Sequence, residues 1–310
     1  VTKDAIGRGA TFVAKYSTSK GHLVWVDTFG GEATKNSERD GGNGVAVDPD
    51  GNVYVTGTFA DKVDFDPGPG VNIIEAEKRT DAYLLKLDGN GNAIFVKTLA
   101  GDGYDGGVKV AVSNGAIYTA SYFNGTIDVD PGKAVRELTS IGDDNHTDVL
   151  ISKYSAKGSL VWAKPIGGVG FETIGGLGVE PDGSVITTGG FYDRVDFNPG
   201  PSHFFLTSTL GDDSFDDPND SGRDFSYDIY VSRLSTNGKF VSAVNYGGAQ
   251  DDFGGGLAFN PAGDVLITGQ FRETVQFPTL AGGTGTLVAR DADEHTVGDA
   301  FVILLDDSIL

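Results

Sequence analysis

A segment of some twenty residues recurs along this chain. It reads DAYLLKLDGNGNAIFVKTLAG at 81–101, DVLISKYSAKGSLVWAKPIGG at 148–168 and DIYVSRLSTNGKFVSAVNYGG at 228–248. An earlier copy, ATFVAKYSTSKGHLVWVDTFGG, occupies 10–31, and a partial one, DAFVILLD, occupies 299–306. A second block alternates with it: GVAVDPDGNVYVTGTF at 44–59, KVAVSNGAIYTASYF at 109–123, GLGVEPDGSVITTGGF at 176–191 and GLAFNPAGDVLITGQF at 256–271. Self-similarity at a fixed period is the mark of a repeat architecture. From Asp81 to Asp148 to Asp228 to Asp299 the steps are 67, 80 and 71 residues. Each unit holds four short runs rich in Val, Ile, Tyr, Phe and Thr, here called A, B, C and D, punctuated by Gly, Asn and Asp. The A–B and C–D links are tight turns such as DPDGN and DGNGN. No segment has helical periodicity. Four-stranded antiparallel units in tandem predict an all-β chain and a β-propeller. Many runs are apolar at successive positions, as expected if each blade is covered on both faces. Trp25 and Trp162 share one D-strand position with Phe95 and Ser242, and read as packing between blades rather than as ligand stackers.

Composition excludes several functions. There are 44 acidic and 23 basic residues, a net charge of −21, and no Cys. Nucleic-acid binding needs clustered Lys and Arg, which this balance argues against. Without cysteine there is no disulfide framework, thiolate metal site or cysteine nucleophile. No apolar run is long enough to span a bilayer. Absence of Met as well as Cys, both oxidation liabilities, and a first residue Val suggest a mature extracellular or cell-surface chain or an excised fragment. Of the acids, 35 are Asp. Asp is a poor helix former, a good turn residue and a ligand of hard cations.

The motifs TDAYLLKLDGNG, VAVDPDGNVYVTGTF and VDFDPGPG resemble the bacterial SBBP-type β-propeller repeat family of large secreted proteins. The resemblance covers about residues 10–306. It implies a propeller fold and a secreted setting rather than a reaction, and the family's name implies seven blades. The A–B portion is also similar to the NHL repeat, which implies an order from A inside to D outside. On this basis residues 1–310 form a single propeller domain. Residues 11–30 supply N-terminal closing strands, and blades occupy about 41–100, 106–167, 173–247 and 253–307. Four blades are counted, with a fifth partial or split one. C and D stand alone at the start, and A, B and C at the end, so an unmatched edge is open to strand exchange.

The long, acidic B–C loops share a face with the D–A loops. Long loops are commonly functional, so this face is the expected site of action. VDFDPGPG at 63–70 recurs as IDVDPG at 127–132 and VDFNPGP at 195–201, and decays to VQFPTL at 275–280. On an extended segment residues i and i+2 point the same way. Asp64 with Asp66, Asp128 with Asp130, and Asp196 with Asn198 therefore offer oxygen pairs either to Ca²⁺ or to the backbone of a Pro-Gly turn. Asp217, Asn219, Ser221 and Asp224 lie in an acidic insertion, DDSFDDPNDSGRD at 212–224, and match the front of an EF-hand-like loop without its closing Glu. Asp88, Asn90 and Asn92 follow a similar spacing but read as a turn. Asp40, Asp105, Glu172 and Asp252 each stand five residues before an A strand. They form either a ring of acids at a channel mouth or separate caps on backbone N–H groups.

Other chemistry is sparse. His22, His146, His203 and His295 have no metal-ligand spacing, and there is no nucleophile elbow or phosphate loop. Asn124, Asn145 and Asn219 open glycosylation sequons. No catalytic residue is assigned. The expectation is a non-catalytic, calcium-stabilised extracellular module, a structural or binding subunit with a protein or glycan partner on the loop face. One alternative is a polysaccharide hydrolase or lyase acting in the propeller funnel, for which His146, His203 and Arg223 are the asymmetric residues. Another is a filament or surface-layer subunit completed by strand exchange.

Overall fold

A computed structural model describes residues 9–31, 40–130, 132, 134–142, 146–209, 226–278, 284–289 and 298–305. These residues form antiparallel sheets, with no helix among them. The chain falls into two compact units, one of residues 1–140 with 150–163, the other of 141–149 with 164–310.

The first unit opens with β1 (Ala10–Tyr16) and β2 (Leu23–Gly30), the lone C and D strands, paired antiparallel. Then β3 (Gly41–Val47), β4 (Val53–Asp64), β5 (Ile73–Leu87) and β6 (Ala93–Gly101) line up in chain order as A to D. Next come β7 (Gly106–Ser113), β8 (Ala116–Phe123), β9 (Thr126–Asp128) and β10 (Glu137–Thr139), then β11 (Asp148–Tyr154) and β12 (Leu160–Gly168). The division runs along β11 and β12. Their segments Leu150–Tyr154 and Leu160–Ala163 belong to the first unit, where they follow β7 and β8 as C and D.

In the second unit, β13 (Gly176–Val179), β14 (Val185–Phe191), β15 (Arg194–Asp196), β16 (Phe205–Thr207), β17 (Asp228–Leu234) and β18 (Phe240–Tyr246) precede β19 (Phe253–Phe259), β20 (Val265–Phe271), β21 (Thr274–Pro278), β22 (Thr284–Val288) and β23 (Asp299–Leu305). The order β13-β14-β17-β18 repeats the A-to-D pattern, and β19-β20-β23 repeats A to C. B–C register is the same each time: Phe59 opposite Asp81, Phe191 opposite Asp228, Phe271 opposite Asp299. A one-residue slip would turn every side chain to the other face. In β11 and β17 the C strand is buried on both faces, at six of seven positions, which explains their unbroken apolar runs.

A–B and C–D turns use one design. In DPDGN, Asp48 Oδ1 accepts the Asn52 N–H at 2.9 Å and Gly51 takes a left-handed φ of 83°. In DGNGN, Asp88 accepts the N–H groups of Asn90 and Asn92, with Gly91 at φ 92°. A side chain at that φ strains against its own backbone, so Gly is selected.

The B–C segments depart from the expected irregular loops. Each turns a corner on one left-handed residue, Asp61, Gly125, Asp193 or Glu273. Each then forms a small hairpin: Asp64 to Ile73 within β4 and β5, β9 with β10, β15 with β16, and β21 with β22. The hairpin arms are three to five residues long, too short to register as strands by periodicity. Three of these hairpins pair with the end of the preceding D strand, at Gly30–Asp64, Ala100–Asp128 and Gly167–Asp196. D strands end in small residues for this reason. An added Cβ at Gly31, Gly101, Gly168 or Gly248 would lie 1.5, 2.6, 2.2 or 2.0 Å from the carbonyl oxygen of Lys62, Thr126, Arg194 or Thr274.

Hairpins also complete the core. In VDFD the apolar residues alternate with the acids, so Val63 and Phe65 point inward. Phe65 meets Phe59 edge-on at 5.2 Å and Tyr83 at 5.1 Å. Phe197 meets Phe191 and Tyr230 at 5.4 and 5.1 Å, and Phe277 meets Phe301 at 5.3 Å. Successive repeats of the first unit are joined at the C–D turns. Trp25 Nε1 and Lys15 Nζ both donate to the Gly89 carbonyl, at 3.2 and 2.8 Å. Trp162 is buried edge-on to Tyr118.

Candidate functional site

The paired acids of the B–C segments sit where the hairpin turns. Asp64 Oδ1 accepts the N–H groups of Asp66 at 3.0 Å and Asn72 at 2.8 Å, tying the two arms together, and Asp66 Oδ1 accepts Gly68 N–H at 2.8 Å. Asp128 does the same with Asp130 and Arg136, and Asp130 with Gly132. Asp196 does so with Asn198 and Phe204, and Asn198 with Gly200. In the first two, one oxygen per side chain holds the turn and a second is left over; in the third, the Asn198 side chain has only the one oxygen. His203 Nδ1 adds a 2.5 Å contact to Asp196 Oδ2. Burial acts to raise the Asp196 carboxyl, but the Phe204 N–H, His203 and the Asn198 N–H outweigh it and hold it below the usual range.

These geometries rank two substitutions. Asp128→Ala removes both bonds that hold its hairpin and is expected to destabilise the fold by about 1–2 kcal/mol. His203→Ala removes an exposed ion pair and should change stability by less than about 0.5 kcal/mol. Urea unfolding of both variants checks the order.

The residues of the insertion, Asp217, Asn219, Ser221 and Asp224, lie outside the described residues, as do Asn145, Arg223 and His295. His146 lies against Phe171, ring centroids 4.5 Å apart. It is not near His203 in sequence, and no group of three or more His, Asp or Glu side chains forms a metal-type cluster among the described residues.

The four D–A acids are caps first. Asp40 Oδ1 accepts Ala60 N–H at 3.1 Å, Asp105 Oδ1 accepts Asn124 N–H at 3.3 Å, and Asp252 Oδ1 accepts Arg272 N–H at 3.0 Å. Each thereby closes the end of the next B strand, some twenty residues on. Glu172, one methylene longer, makes no such bond; Tyr192 N–H goes instead to the Phe171 carbonyl at 3.0 Å. Asp105, Glu172 and Asp252 are fully buried, and Asp40 is half-buried.

Three of them have an acidic neighbour at the head of a C strand, whereas Asp40 feels Asp61. Asp105 feels Asp81, Glu172 feels Asp148 and Asp252 feels Asp228. The partners head the C strands and are themselves buried. Burial pushes Asp81 up to about 6, Asp148 up to about 7 and Asp228 up. Burial and the neighbouring carboxylate push Asp105 and Asp252 up to about 8 and Glu172 well above its ordinary value. The sequence carries a signal for this pairing that residue-type reading misses: 81 and 105, 148 and 172, 228 and 252 are all 24 apart. Asp40 has no such partner, because Ala10 stands at the head of β1.

Residues 36–58 match the model of the SBBP beta-propeller repeat. The matched stretch takes in β3 and the first half of B strand β4. No curated protein matches the chain. Among solved structures, a Bacteroides caccae protein described as of unknown function is similar at a TM-score of 0.41 and 9% identity, over 91% of this chain and 71% of that one.

Proposed function

We propose that this chain is a non-catalytic β-propeller module of the cell exterior, stabilised by calcium, which serves as a structural or binding subunit in a secreted or cell-surface assembly. One observation carries the reading. Equivalent acids do equivalent backbone work in successive repeats, with Asp64, Asp128 and Asp196 each locking a hairpin. Catalytic groups break the symmetry of a repeat; structural ones follow it. The hairpin and D–A segments form the surface for a protein or glycan partner. Calcium enters at the hairpin turns, where the second oxygens of Asp64 and Asp66, and of Asp128 and Asp130, suit a hard cation.

The test is a panel of polysaccharides and glycopeptides, scored for both binding and product release. Binding without turnover is the expected result; a new reducing end or unsaturated product would replace the reading with an enzyme.

Strand exchange with a second copy has its own support. β1 and β23 lie at the edges of their sheets. Phe12 and Tyr16 on β1 are 70% and 60% exposed, and Val302 on β23 is 67% exposed. Exposed apolar edges template pairing with another chain. Particle mass in solution should rise with concentration, and a Phe12→Lys variant should abolish the rise; a strict monomer excludes this role.

A further inference from the structure

The buried carboxyl pairs are left over once every capping role is assigned. Asp105 spends Oδ1 on Asn124, but its Oδ2 is buried with no donor. Asp252 spends Oδ1 on Arg272, and its Oδ2 is likewise without a partner. Asp148 Oδ2 accepts Ile141 N–H at 2.9 Å while Oδ1 has none, and Glu172 has none on either oxygen. Asp228 Oδ2 accepts from Asn245 and Thr209, and Oδ1 is unpartnered. Such orphans are rare in native interiors and call for a proton, a water or an ion. No Lys or Arg pairs with any of the six among the described residues.

Glycine lets these carboxyls and carbonyls close on the end of strand D. A Cβ on Gly101 would stand 2.7 Å from Asp105 Oδ2 and 2.6 Å from the Thr126 carbonyl oxygen, and the Gly101 N–H is 3.5 Å from Asp81 Oδ1. The free oxygen of Asp105 and a backbone carbonyl therefore converge on one spot, with Asp81 beside it, its Oδ2 accepting the Glu77 N–H at 3.0 Å. A Cβ on Gly247 would lie 1.9 Å from Asp228 Oδ1, and one on Gly248 2.0 Å from the Thr274 carbonyl oxygen and 3.7 Å from Asp252 Oδ2. A Cβ on Gly167 would lie 2.1 Å from Asp148 Oδ2. The same set recurs three times: an acid heading strand C, an acid after strand D, a glycine between them, and a hairpin carbonyl, that of Thr126, Arg194 or Thr274.

We propose that the pairs Asp81/Asp105, Asp148/Glu172 and Asp228/Asp252 are calcium sites, one ion per pair, which fasten the end of each D strand to the strands beside it. Two carboxylates balance the charge of a divalent cation. Their oxygens, with a backbone carbonyl and water, supply the six to eight hard ligands that calcium takes. These residues are distinct from the hairpin-turn acids, so either set of sites can fail without the other.

Protein stripped with a chelator is dialysed against calcium at neutral pH and its bound metal counted, for wild type and for Asp105→Asn, Asp252→Asn and Asp64→Asn. Loss of one ion in each of the first two, with Asp64→Asn unchanged at these sites, is expected. Exchange of the Asn124 and Arg272 amides, which donate to Asp105 and Asp252, should slow about tenfold when calcium is added to stripped wild type. This second measurement needs no variant to fold. An ion count indifferent to both Asn variants, or amide exchange indifferent to calcium, overturns the proposal. In that event the pairs are protonated acids, or calcium belongs to the hairpin turns alone.

Discussion

In a chelating buffer, raising the pH from about 5 to about 8.5 is expected to lower the melting temperature by roughly 10 °C, a shift that corresponds to a few kcal/mol in a chain of this size. The sign follows from the direction of the shifts. Asp81, Asp105, Asp148 and Asp252 are raised from an ordinary 3.8 to about 6, 8, 7 and 8. A raised carboxyl holds its proton in the folded protein where the unfolded chain has lost it. Its contribution is complete below about pH 4 and is lost as the pH passes the folded value. Asp105 faces Asp81, Asp102 and Glu77, and Asp252 faces Asp228 and Asp251, so no opposing charge offsets the effect. Carboxyls shifted the other way act at lower pH. Asp88, Asp102 and Asp182 are held below 3.8 by the Asn92 side chain, the Thr126 N–H and the Ser184 N–H respectively. Their contribution stands above that value and fades only as the pH falls beneath it. Maximum stability therefore lies near pH 4–5, on the acid side of the usual range. Melting curves across this range check it, and a flat or rising profile contradicts the buried pairs. Calcium at alkaline pH should restore most of the loss if the ions sit as proposed.

Gly189→Ala is expected to cost about 3 kcal/mol or more, the upper range for forcing atoms into a filled site. An added Cβ would stand 1.9 Å from the Thr173 carbonyl oxygen and 3.0 Å from Tyr230 Cε1. Both neighbours are fixed: Thr173 N–H donates to the Gly190 carbonyl, and the Tyr230 hydroxyl donates to the Thr173 carbonyl. Gly57 and Gly269 hold the same B-strand place, with added Cβ atoms 1.9 and 2.1 Å from the carbonyls of Gly41 and Phe253. In the second repeat the place is taken by Ser121, paired to Gly107 beside a bulge between Gly107 and Lys109. Ser121→Gly should therefore cost only the lost side-chain contacts and backbone entropy, about 1 kcal/mol. Urea midpoints of the two variants give the comparison, and equal losses would contradict the account.

Strand boundaries were readable because they rest on local chemistry. β-branched and aromatic runs separated by D-x-x-G-N turns place A, B, C and D without any knowledge of what lies beside them. The hairpins were not readable. Ile127 and Asp128 form a strand because β6 and β10 lie alongside, and the left-handed corner is made by three different residue types, at Asp61, Gly125, Asp193 and Glu273. The paired acids were half readable. Their i, i+2 spacing puts both on one side of the chain, but whether they meet backbone or metal depends on how the turn closes. The D–A acids show the opposite case. Their regular spacing marks a role, while their burial and their carboxyl neighbours come from chain segments 24 residues away.

The sequence by itself determined that this chain is a tandem of antiparallel β units. Repetition, alternation and turn residues act over a few positions, and each copy repeats the same instruction. Tertiary structure alone decided what the acids are for. Solvation, like-charge proximity and the room left by a missing Cβ are properties of places where distant segments converge. Thus Asp105 becomes a buried, half-satisfied carboxyl only when β6, β8 and the hairpin after it close around Gly101.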